Sequence, residues 1–360
     1  MSKILTIVGA RPQFVKAAAL SRAIKNSGLK EILVHTGQHF DENMAEIFFR
    51  QMEIPQPNYN LGINSLSHGA MTGRMLEEIE KVIIAEKPSV VVVFGDTNST
   101  LAGALAAAKL HVPVAHIEAG LRSFNMKMPE EINRILTDRI STYLFCPTEV
   151  AIKNLEKEGF ANFDISILNT GDVMYDVALY YSRFSSDKST VIQRLYLDRK
   201  PFVLATLHRQ ENTDDLERLK SIISALNQLS ENFEIVLPLH PRTQKILEKE
   251  KIATDFVPIE PVGYFDMIEM LKKCSFVMTD SGGLQKEAFF FEKRCLVTRD
   301  ETEWTELVDL NYNVLVGACE KNILESANKI VTEKVEFTQK PYGDGSAAEK
   351  IVSFLKENLK

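Results

Sequence analysis

The chain has 360 residues, of which 45% are hydrophobic and 25% are charged, and its formal net charge is −7. These values are typical of a globular protein with one large or two medium-sized domains. No basic run offsets the acidic excess, which excludes nucleic acid as an expected partner. The longest apolar stretches, 88–94 and 101–110, are too short or too broken to span a bilayer, so no membrane insertion is expected.

The four cysteines, Cys146, Cys274, Cys295 and Cys319, form no CxxC pair. The sequence therefore predicts neither a disulfide framework nor a metal site. The N-terminal stretch MSKILTIVGARP is typical of a first strand and lacks the pattern of a signal peptide. A reducing cytoplasm is the expected location.

Strand-like and helix-like segments alternate along the first half of the chain. The predicted strands are 3–9, 31–36, 89–94, 112–117, 143–146 and 165–168, and the clearest helical patterns are 13–25, 68–87, 99–110 and 130–141. This alternation predicts a parallel, doubly wound sheet with helices on both faces.

A polar stretch over 180–200 has the composition of a linker, and a second alternation follows it. Its predicted strands are 202–206, 233–238, 255–257, 275–278, 295–297 and 313–316. We therefore expect an α/β protein with two Rossmann-like doubly wound domains facing a central cleft. The first domain spans 1–180 and carries the candidate acids, the second spans 181–345, and a C-terminal helix over 346–360 is free to cross back to the first.

The sequence TDSGGLQKEA, 279–288, follows an apolar run and opens a predicted helix. Exposed amides at Ser281, Gly282 and Gly283 would bind an anion at the helix N-terminus. An ordinary capped turn explains the same residues. Glu287, deeper in the helix, suits the two hydroxyls of a ribose, or is a solvated charge. Together these residues suggest a nucleoside diphosphate.

Several cationic residues follow predicted strands, where ligands of such sheets collect. They are Arg11 in the first half and His208, Arg209, His240 and Arg242 in the second. Each alone fits a surface charge, whereas together they would neutralise a pyrophosphate. Neither GxGxxG after a strand nor GxxxxGK[ST] is present, which disfavours a nicotinamide cofactor and kinase chemistry.

Candidate carboxylates concentrate in the first half. Asp96 and Glu118 come directly after strands, and Glu130 and Glu131 open a helix. Asp96 fits a helix cap equally well, and the glutamate pair fits an ordinary acidic first turn. Three acids, Asp96, Glu118 and Glu130, beside a cationic ligand site would transfer protons rather than bind a metal. His116, inside a strand, is expected to be a core residue.

Ten motifs occur in one order over the whole chain: GARPQFVKAA, HTGQHFDENM, GDTNSTLAGALAA, HIEAGLRS, MPEEINRILTD, GDVMYD, LHRQEN, DSGGLQKEA, RDETEW and PYGDGS. With them the chain resembles the non-hydrolysing UDP-N-acetylglucosamine 2-epimerases. The resemblance implies a glycosyltransferase-B fold in which the second domain holds most of UDP and the sugar reaches into the first. It also implies a homodimer and no cofactor.

The resemblance implies a role for each motif residue. The implied catalytic residues are Asp96, Glu118, Glu130 and His208; the implied UDP contacts are Arg11, His208, Ser281, Gly282, Gly283 and, for the ribose, Glu287. The substrate-binding set is completed by Lys16, Gln38, Arg122, Arg209, His240, Arg242 and Arg299, which lie within or beside the shared motifs. The implied reaction eliminates UDP to give a glycal and adds it back after C2 is protonated from the other face.

Two departures from the common pattern bear on the substrate. Gln13 stands where the family has glutamate, and the loop 123–128 is short and carries Lys127. Both changes resemble the branch that epimerises UDP-2,3-diacetamido-2,3-dideoxy-glucuronate to the manno form for surface polysaccharide. Losing a negative charge and gaining a lysine would suit a substrate with its own carboxylate. A UDP-GlcNAc to UDP-ManNAc enzyme is the alternative, and a glycosyltransferase on the same fold is a further one.

Overall fold

The computed structural model describes residues 2–38, 54–239 and 241–359. The chain divides into two compact units. One unit comprises Met1–Val177 together with Lys340–Lys360, and the other comprises Ala178–Gln339.

The first unit is built on a parallel sheet. Its strands are β1 (Lys3–Val8), β2 (Lys30–His35), β3 (Tyr59–Asn60), β4 (Val90–Phe94), β5 (Val114–Ile117), β6 (Tyr143–Cys146) and β7 (Ser166–Asn169). They are arranged in the order β3-β2-β1-β4-β5-β6-β7, and every pairing is parallel. All five residues of β4 are buried, which explains its unbroken VVVVF sequence, since both faces of the sheet are covered.

Helices connect these strands. They are α1 (Arg11–Ser27), α2 (His68–Glu86), α3 (Asn98–Lys109), α4 (Pro129–Ile140) and α5 (Glu149–Lys157); a further helix, α6 (Val173–Ser182), follows β7 and contains the boundary between the two units. The alanine-rich α3 packs closely on the sheet, and a methyl group on Gly103 would lie 2.5 Å from Cδ1 of Ile7. Small side chains on this helix therefore let its backbone approach the strands.

The second unit has a smaller parallel sheet. Its strands are β8 (Phe202–Thr206), β9 (Glu234–Val236), β10 (Phe276–Thr279), β11 (Cys295–Val297) and β12 (Asn313–Leu315), in the order β12-β11-β10-β8-β9. Its helices are α7 (Ser185–Lys188), α8 (Val191–Arg194), α9 (Gln210–Thr213), α10 (Leu216–Ser230), α11 (Pro241–Lys249), α12 (Tyr264–Lys273), α13 (Gly282–Phe290), α14 (Thr305–Asp309) and α15 (Glu320–Thr332).

The last helix, α16 (Ala347–Asn358), belongs to the first unit. Asp176 accepts hydrogen bonds at 3.1 and 2.7 Å from the main-chain N–H groups of the first two residues of α16. The ring of Phe354 packs edge-to-face on Phe145 of β6, with 5.7 Å between ring centroids. The chain therefore leaves the first unit, forms the second, and returns.

Strand order reverses once in each sheet, between β1 and β4 in the first unit and between β8 and β10 in the second. Ligands of open parallel sheets bind beyond the carboxyl ends of the strands at such a reversal. A ligand site is therefore expected in the segments that follow these four strands.

The predicted class, two parallel α/β sheets, is confirmed. The strand predicted over 255–257 is wrong: Val257 is 83% exposed and precedes Pro258, which has no N–H for a ladder. Only an isolated bridge between Pro238 and Ile259 forms there. The stretch predicted as a linker contains α7 and α8. Within the described ranges no helix is long and apolar enough to cross a bilayer.

Candidate functional site

Asp96 lies just beyond β4, at the reversal point of the first sheet. Gly95 before it has a φ of 60°, in the left-handed region that glycine adopts without strain. Thr97, not Asp96, caps α3, because its hydroxyl accepts the N–H of Thr100 at 3.3 Å. The Asp96 carboxylate instead accepts a hydrogen bond from Arg134 Nη1 at 2.7 Å. Asp96 is thus available for chemistry rather than used as a cap.

Glu118 follows β5 and has a φ of 73°. A non-glycine residue held in this region costs about 1–3 kcal/mol, and such strain is concentrated at functional sites. Its carboxylate forms an ion pair with Lys16 of α1, and only 11% and 10% of the two side chains are exposed. A methyl group on Gly95 would lie 3.1 Å from Glu118 Oε2 and 3.4 Å from Lys16 Nζ, so both groups lie against the Asp96 turn.

Charged groups of both signs surround the Asp96 carboxyl. Desolvation by the surrounding groups raises the pKa of Asp96, although 32% of its side-chain surface is accessible, and the charge of Arg134 opposes this effect. The carboxylates of Glu118 and Glu130 raise the pKa further, whereas the ammonium of Lys16 lowers it. The net direction is upward, which favours a carboxyl that exchanges a proton.

The two adjacent glutamates at the start of α4 differ completely in environment. Glu130 is exposed, whereas Glu131 is fully buried. The Glu131 oxygens accept hydrogen bonds from the N–H groups of Ser123 and Phe124 at 3.0 and 2.9 Å and from Arg134 Nε at 2.7 Å. Glu131 therefore anchors the preceding loop and Arg134, while Glu130 remains open to a ligand.

Arg122, an expected substrate contact, lies inside the first unit. Its side chain is 0% exposed and donates to Asp138 Oδ2 at 2.7 Å and to both Glu158 oxygens at 2.6 and 2.8 Å. Asp138 also accepts the N–H of Gly120 at 3.1 Å. The expected ligand contact is therefore corrected to a structural role, because the guanidinium already serves buried carboxylates.

The side chain of Gln13 is likewise buried inside the first unit. The side chain is 1% exposed, its Oε1 accepts the N–H groups of Gly9 and Ala10 at 2.8 and 3.0 Å, and its Nε2 donates to the carbonyl of Phe94 at 2.8 Å. Gln13 is therefore bonded to main-chain groups, and its effect on charge at the substrate stays a prediction. Lys127, its proposed companion, is exposed.

In the second unit, Asp280 holds the segment that carries His208. Asp280 is fully buried, and its Oδ2 accepts the N–H groups of His208 and Arg209, both at 3.0 Å. The Nδ1 atom of His208 lies 3.2 Å from Oδ1 of the same carboxylate. About half of the His208 side chain (52%) is exposed, so the ring can reach a ligand. Asp280 meanwhile holds the main chain of His208 in place.

Burial alone would raise the pKa of Asp280. The hydrogen bond and charge of His208, together with the N–H groups of Arg209 and His208, outweigh burial and lower it. Asp280 is therefore an ionised anchor at the reversal point of the second sheet.

The DSGG segment forms the N-terminus of α13. Ser281 is the N-cap, and its hydroxyl accepts the N–H of Leu284 at 3.5 Å. Gly282 and Gly283 are the first two helical residues, whose amides have no carbonyl one turn earlier to bond. A methyl group on Gly282 would overlap the Glu303 carboxylate, whereas Gly283 has no other atom closer than 4.0 Å to that position. This geometry suits an anion.

Glu287 is one and a half turns into α13 and half-buried. Burial raises the pKa of the Tyr264 hydroxyl, and the charge of Glu287 raises it further, so the two side chains are neighbours. The carboxylate of Glu287 therefore lies near Tyr264, on the same helix as the glycine amides.

The remaining predicted residues have varied surroundings. Gln38 Oε1 accepts hydrogen bonds from the N–H and hydroxyl of Ser99 at 3.0 and 2.7 Å. Arg242 is exposed and donates to Asp214 Oδ1 at 2.6 Å. Arg209 is the N-cap of α9 and is half-buried.

Arg299 is 2% exposed and pairs with Glu303 at 3.0 Å. The predictions for the Arg11 side chain and for His240 lie outside the described part of the chain. Among the described residues, no group of three or more histidine, cysteine, aspartate or glutamate side chains is arranged to hold a metal ion.

Sequence reasoning missed the supporting residues Arg134, Asp138 and Asp280. Helical spacing offered a signal for Arg134, which is three residues after its partner Glu131 on α4. Asp280 directly precedes the glycine motif, but nothing in the sequence pairs it with His208. Buried partners of this kind depend on contacts between distant segments.

A family model described as UDP-N-acetylglucosamine 2-epimerase matches residues 22–356. The chain is 56% identical over 355 residues to the UDP-2,3-diacetamido-2,3-dideoxy-D-glucuronate 2-epimerase of Pseudomonas aeruginosa, covering 98% of this chain and 99% of the relative. It is 42% identical over 364 residues to the UDP-N-acetylglucosamine 2-epimerase of Methanocaldococcus jannaschii, covering 98% of each.

A crystal structure of the Methanocaldococcus jannaschii UDP-GlcNAc 2-epimerase in complex with UDP-GlcNAc and UDP has the same fold. Its TM-score is 0.89 at 41% identity, and the match covers 99% of this chain and 100% of that one.

Proposed function

Because the chain belongs to the UDP-N-acetylglucosamine 2-epimerase family, we propose that it inverts C2 of a UDP-hexosamine without releasing the free sugar. The observation that carries this proposal is the charged cluster at the reversal point of the first sheet. There the Lys16–Glu118 pair lies against the turn of Asp96, which Arg134 holds.

The reaction must overcome the weak acidity of C2, since no neighbouring carbonyl stabilises a carbanion. A carboxylate removes the C2 proton while the C1–O bond breaks. The electron pair of the C1–O bond leaves with UDP. The C2–H electrons form the C1=C2 double bond of a glycal. UDP oxygen then adds back to C1 as a carboxylic acid protonates C2 from the opposite face. Protons and electrons balance without an oxidant.

The first unit supplies the acid and base. Glu118, which is paired with Lys16, is the proposed base, and the raised pKa of Asp96 suits an acid. Glu130, exposed at the start of α4, assists as a third carboxylate. In the reverse direction the roles of base and acid exchange.

The second unit supplies the nucleotide contacts. The amides of Gly282 and Gly283 and the hydroxyl of Ser281 would bind the diphosphate, and His208 would stabilise its charge as it leaves. Glu287 would accept hydrogen bonds from the ribose hydroxyls. Arg11 is proposed as a further diphosphate contact.

For the substrate we propose UDP-2,3-diacetamido-2,3-dideoxy-glucuronate, epimerised to the manno form for surface polysaccharide. The support is the 56% identity, over nearly the full length of both chains, to the Pseudomonas aeruginosa enzyme named for that substrate. Identity to the Methanocaldococcus jannaschii UDP-GlcNAc enzyme is lower, at 42%.

In the test, the enzyme is incubated in D₂O with UDP-2,3-diacetamido-2,3-dideoxy-glucuronate or, separately, with UDP-GlcNAc. Proton NMR then follows the hydrogen at C2 of each sugar. We expect deuterium at C2 and the manno epimer with the diacetamido-uronate substrate. Retention of the original C2 proton during turnover would refute the elimination mechanism. Turnover of UDP-GlcNAc alone would transfer the assignment to the UDP-GlcNAc to UDP-ManNAc reaction.

We also propose a homodimer located in the cytoplasm. The support for the dimer is an exposed apolar face on α4, where Ile132 and Leu136, four residues apart, are 40% and 46% exposed; such a face suits a protein contact. The support for the location is that all four cysteines are free, as in reducing compartments. Light scattering of the wild type and of a Leu136→Asp variant tests the dimer, which the charge should weaken.

A further inference from the structure

Two side-chain amides connect the main chain of Asp96 to an exposed histidine. Asn133 Nδ2 donates to the main-chain carbonyl of Asp96 at 2.9 Å and to Oδ1 of Asn98 at 3.3 Å. Asn98 Nδ2 lies 3.2 Å from Nδ1 of His68. Both asparagines are 7% exposed, whereas His68, the first residue of α2, is exposed. We call Asn133 and Asn98 the amide relay.

The direction of every hydrogen bond in the amide relay follows from its first bond. A main-chain carbonyl only accepts, so the atom of Asn133 that faces Asp96 must be its NH₂ group. The same NH₂ group faces Asn98, which must therefore present its oxygen to Asn133. The NH₂ group of Asn98 consequently faces His68, whose Nδ1 atom must accept. A neutral imidazole with an accepting Nδ1 carries its proton on Nε2.

The Nε2–H group of His68 is thus a donor for which the protein supplies no acceptor. Over residues 2–38, 54–239 and 241–359, the ring forms one hydrogen bond, that of Nδ1 with Asn98. This bond to one ring nitrogen sets which nitrogen carries the proton. Because the donor is held before a ligand arrives, it loses little freedom when a ligand binds.

The position of His68 points to the sugar of the proposed substrate. Asn98 follows Asp96 by two residues, so the amide relay lies beside the carboxyl that is proposed to exchange the C2 proton. Most of the proposed UDP contacts lie in the second unit, which leaves the sugar to the first. Compared with GlcNAc, the diacetamido-uronate carries an acetamido group at C3 and a carboxylate at C6. Both groups have oxygens that accept hydrogen bonds.

We propose that His68 is a specificity-determining residue whose Nε2–H group donates a hydrogen bond to an oxygen of the sugar substituent at C3 or C6. This inference rests on the proposed function, because its ligand is the substrate proposed above. A hydrogen bond to a charged acceptor is stronger than one to a neutral acceptor. The C6 carboxylate and the C3 acetamido carbonyl therefore predict losses of different size when the donor is removed.

His68→Phe keeps a ring and removes the donor. With UDP-2,3-diacetamido-2,3-dideoxy-glucuronate, we expect kcat/KM to fall about 10- to 150-fold if the acceptor is the carboxylate, and about 3- to 10-fold if it is the acetamido carbonyl. The hydrogen bond forms in the substrate complex and persists in the transition state, so the loss should appear in KM, with kcat within about twofold of wild type.

A third nucleotide sugar separates the two acceptors. The analogue that keeps the C3 acetamido group but has CH₂OH at C6 lacks only the carboxylate. If the carboxylate is the acceptor, wild type and His68→Phe should have the same KM for this analogue. If the acetamido carbonyl is the acceptor, the difference in KM should persist.

The conservative variant and a matched control distinguish a ligand contact from a structural role. The amide of His68→Gln can accept from Asn98 and still donate outward, so this variant should recover most of the lost KM. His111 is another exposed histidine of the first unit, and its side chain makes no hydrogen bond in the part of the chain that the structure describes. His111→Phe should leave kcat and KM unchanged.

NMR of protein containing ¹⁵N-labelled histidine tests the amide relay without turnover. In mildly alkaline buffer we expect the Nε2–H tautomer for His68, whose signals are assigned by their loss in His68→Phe. Asn98→Asp replaces the NH₂ group by an accepting oxygen, so the tautomer should reverse to Nδ1–H. Adding the diacetamido-uronate substrate should shift the Nε2 resonance, whereas adding UDP alone should not.

The outcomes separate this inference from the proposed function. A wild type that turns over no sugar refutes the function, and the shift of the Nε2 resonance with the diacetamido-uronate still tests the contact. An active enzyme whose KM changes less than about twofold in His68→Phe overturns the role of His68. So does an Nδ1–H tautomer in the wild type, turnover of UDP-GlcNAc alone, or a loss of kcat that His68→Gln does not recover. If His68→Phe fails to fold by circular dichroism, the wild-type resonance shift decides.

Discussion

Lys16 and Glu118, 102 residues apart in sequence, form a nearly buried ion pair against the turn that carries Asp96. The left-handed backbone at Glu118 and the position of Lys16 on α1 bring the two side chains together across neighbouring elements of the first unit. The pair connects the fold to the proposed chemistry, because it places a carboxylate and an ammonium beside a second carboxyl, that of Asp96, whose pKa is raised.

Replacing Glu118 by Gln should abolish the base while preserving shape. We expect kcat to fall about 10²- to 10⁴-fold, with UDP affinity unchanged, measured by steady-state kinetics and calorimetry. Glu78 pairs with Lys81 at 2.8 Å on the exposed surface of α2, so Glu78→Gln is the matched control and should behave as wild type. A near-normal rate for Glu118→Gln would contradict the assigned role.

Arg122→Met distinguishes a structural arginine from a ligand contact. The substitution removes the guanidinium from the buried Asp138, which keeps only His116 beside it, and breaking such a buried pair costs about 3–5 kcal/mol. We expect the free energy of unfolding, from urea denaturation, to fall by that order while KM of the folded protein is unchanged. A stable variant with a strongly raised KM would restore the role first expected for Arg122.

Asp138 should make stability depend on pH in one direction. Burial alone would raise its pKa, but the hydrogen bond and charge of His116 and the contacts of Arg122 lower it. Below about pH 4, the usual aspartate pKa, the unfolded chain therefore binds more protons than the folded one. The stabilising contribution is present above that pH and is lost as the pH falls through the lowered value.

Asp138→Asn should accordingly be most destabilising near neutral pH. The gap in free energy of unfolding between wild type and variant should narrow below about pH 4. Urea titrations at a series of pH values measure this gap. A constant difference across the series would show that the Asp138 charge is not the cause.

Asp280→Asn should weaken UDP binding by releasing His208. An amide cannot accept all the N–H groups that Asp280 binds, and each lost bond costs about 1–3 kcal/mol. We expect the Kd for UDP to rise about 5- to 150-fold. Asp215 also accepts two main-chain N–H groups, as the exposed N-cap of α10, where asparagine is equally good. Asp215→Asn should therefore leave Kd unchanged, and equal effects in both variants would exclude a specific role for Asp280.

The family and the two parallel sheets were predictable because their signals are local. Alternating buried strands and helices repeat along the sequence, and the motifs lie at strand ends. The wrong strand prediction at 255–257 also came from a local signal. The short run beside Pro258 has strand-like composition, but no neighbouring strand forms a ladder with it.

The partners of the candidate site were not predictable from local pattern. Gln13 and Arg122 appear in the sequence as polar residues beside motifs, and only the fold shows that both are saturated by buried groups. Conversely, Asp280 has the sequence signature of a helix cap, yet its carboxylate accepts main-chain hydrogen bonds from a segment about 70 residues earlier in the chain. Long-range hydrogen bonding decides these roles.

The return of α16 to the first unit has a consequence for biosynthesis. The ribosome synthesises the chain from its N-terminus, so α1 and Phe145 lack their contacts with α16 until almost all of the chain has been translated. The unit encoded later can thus finish folding before the unit encoded first. Nascent chains arrested shortly before α16 should consequently bind chaperones through an incompletely covered N-terminal half.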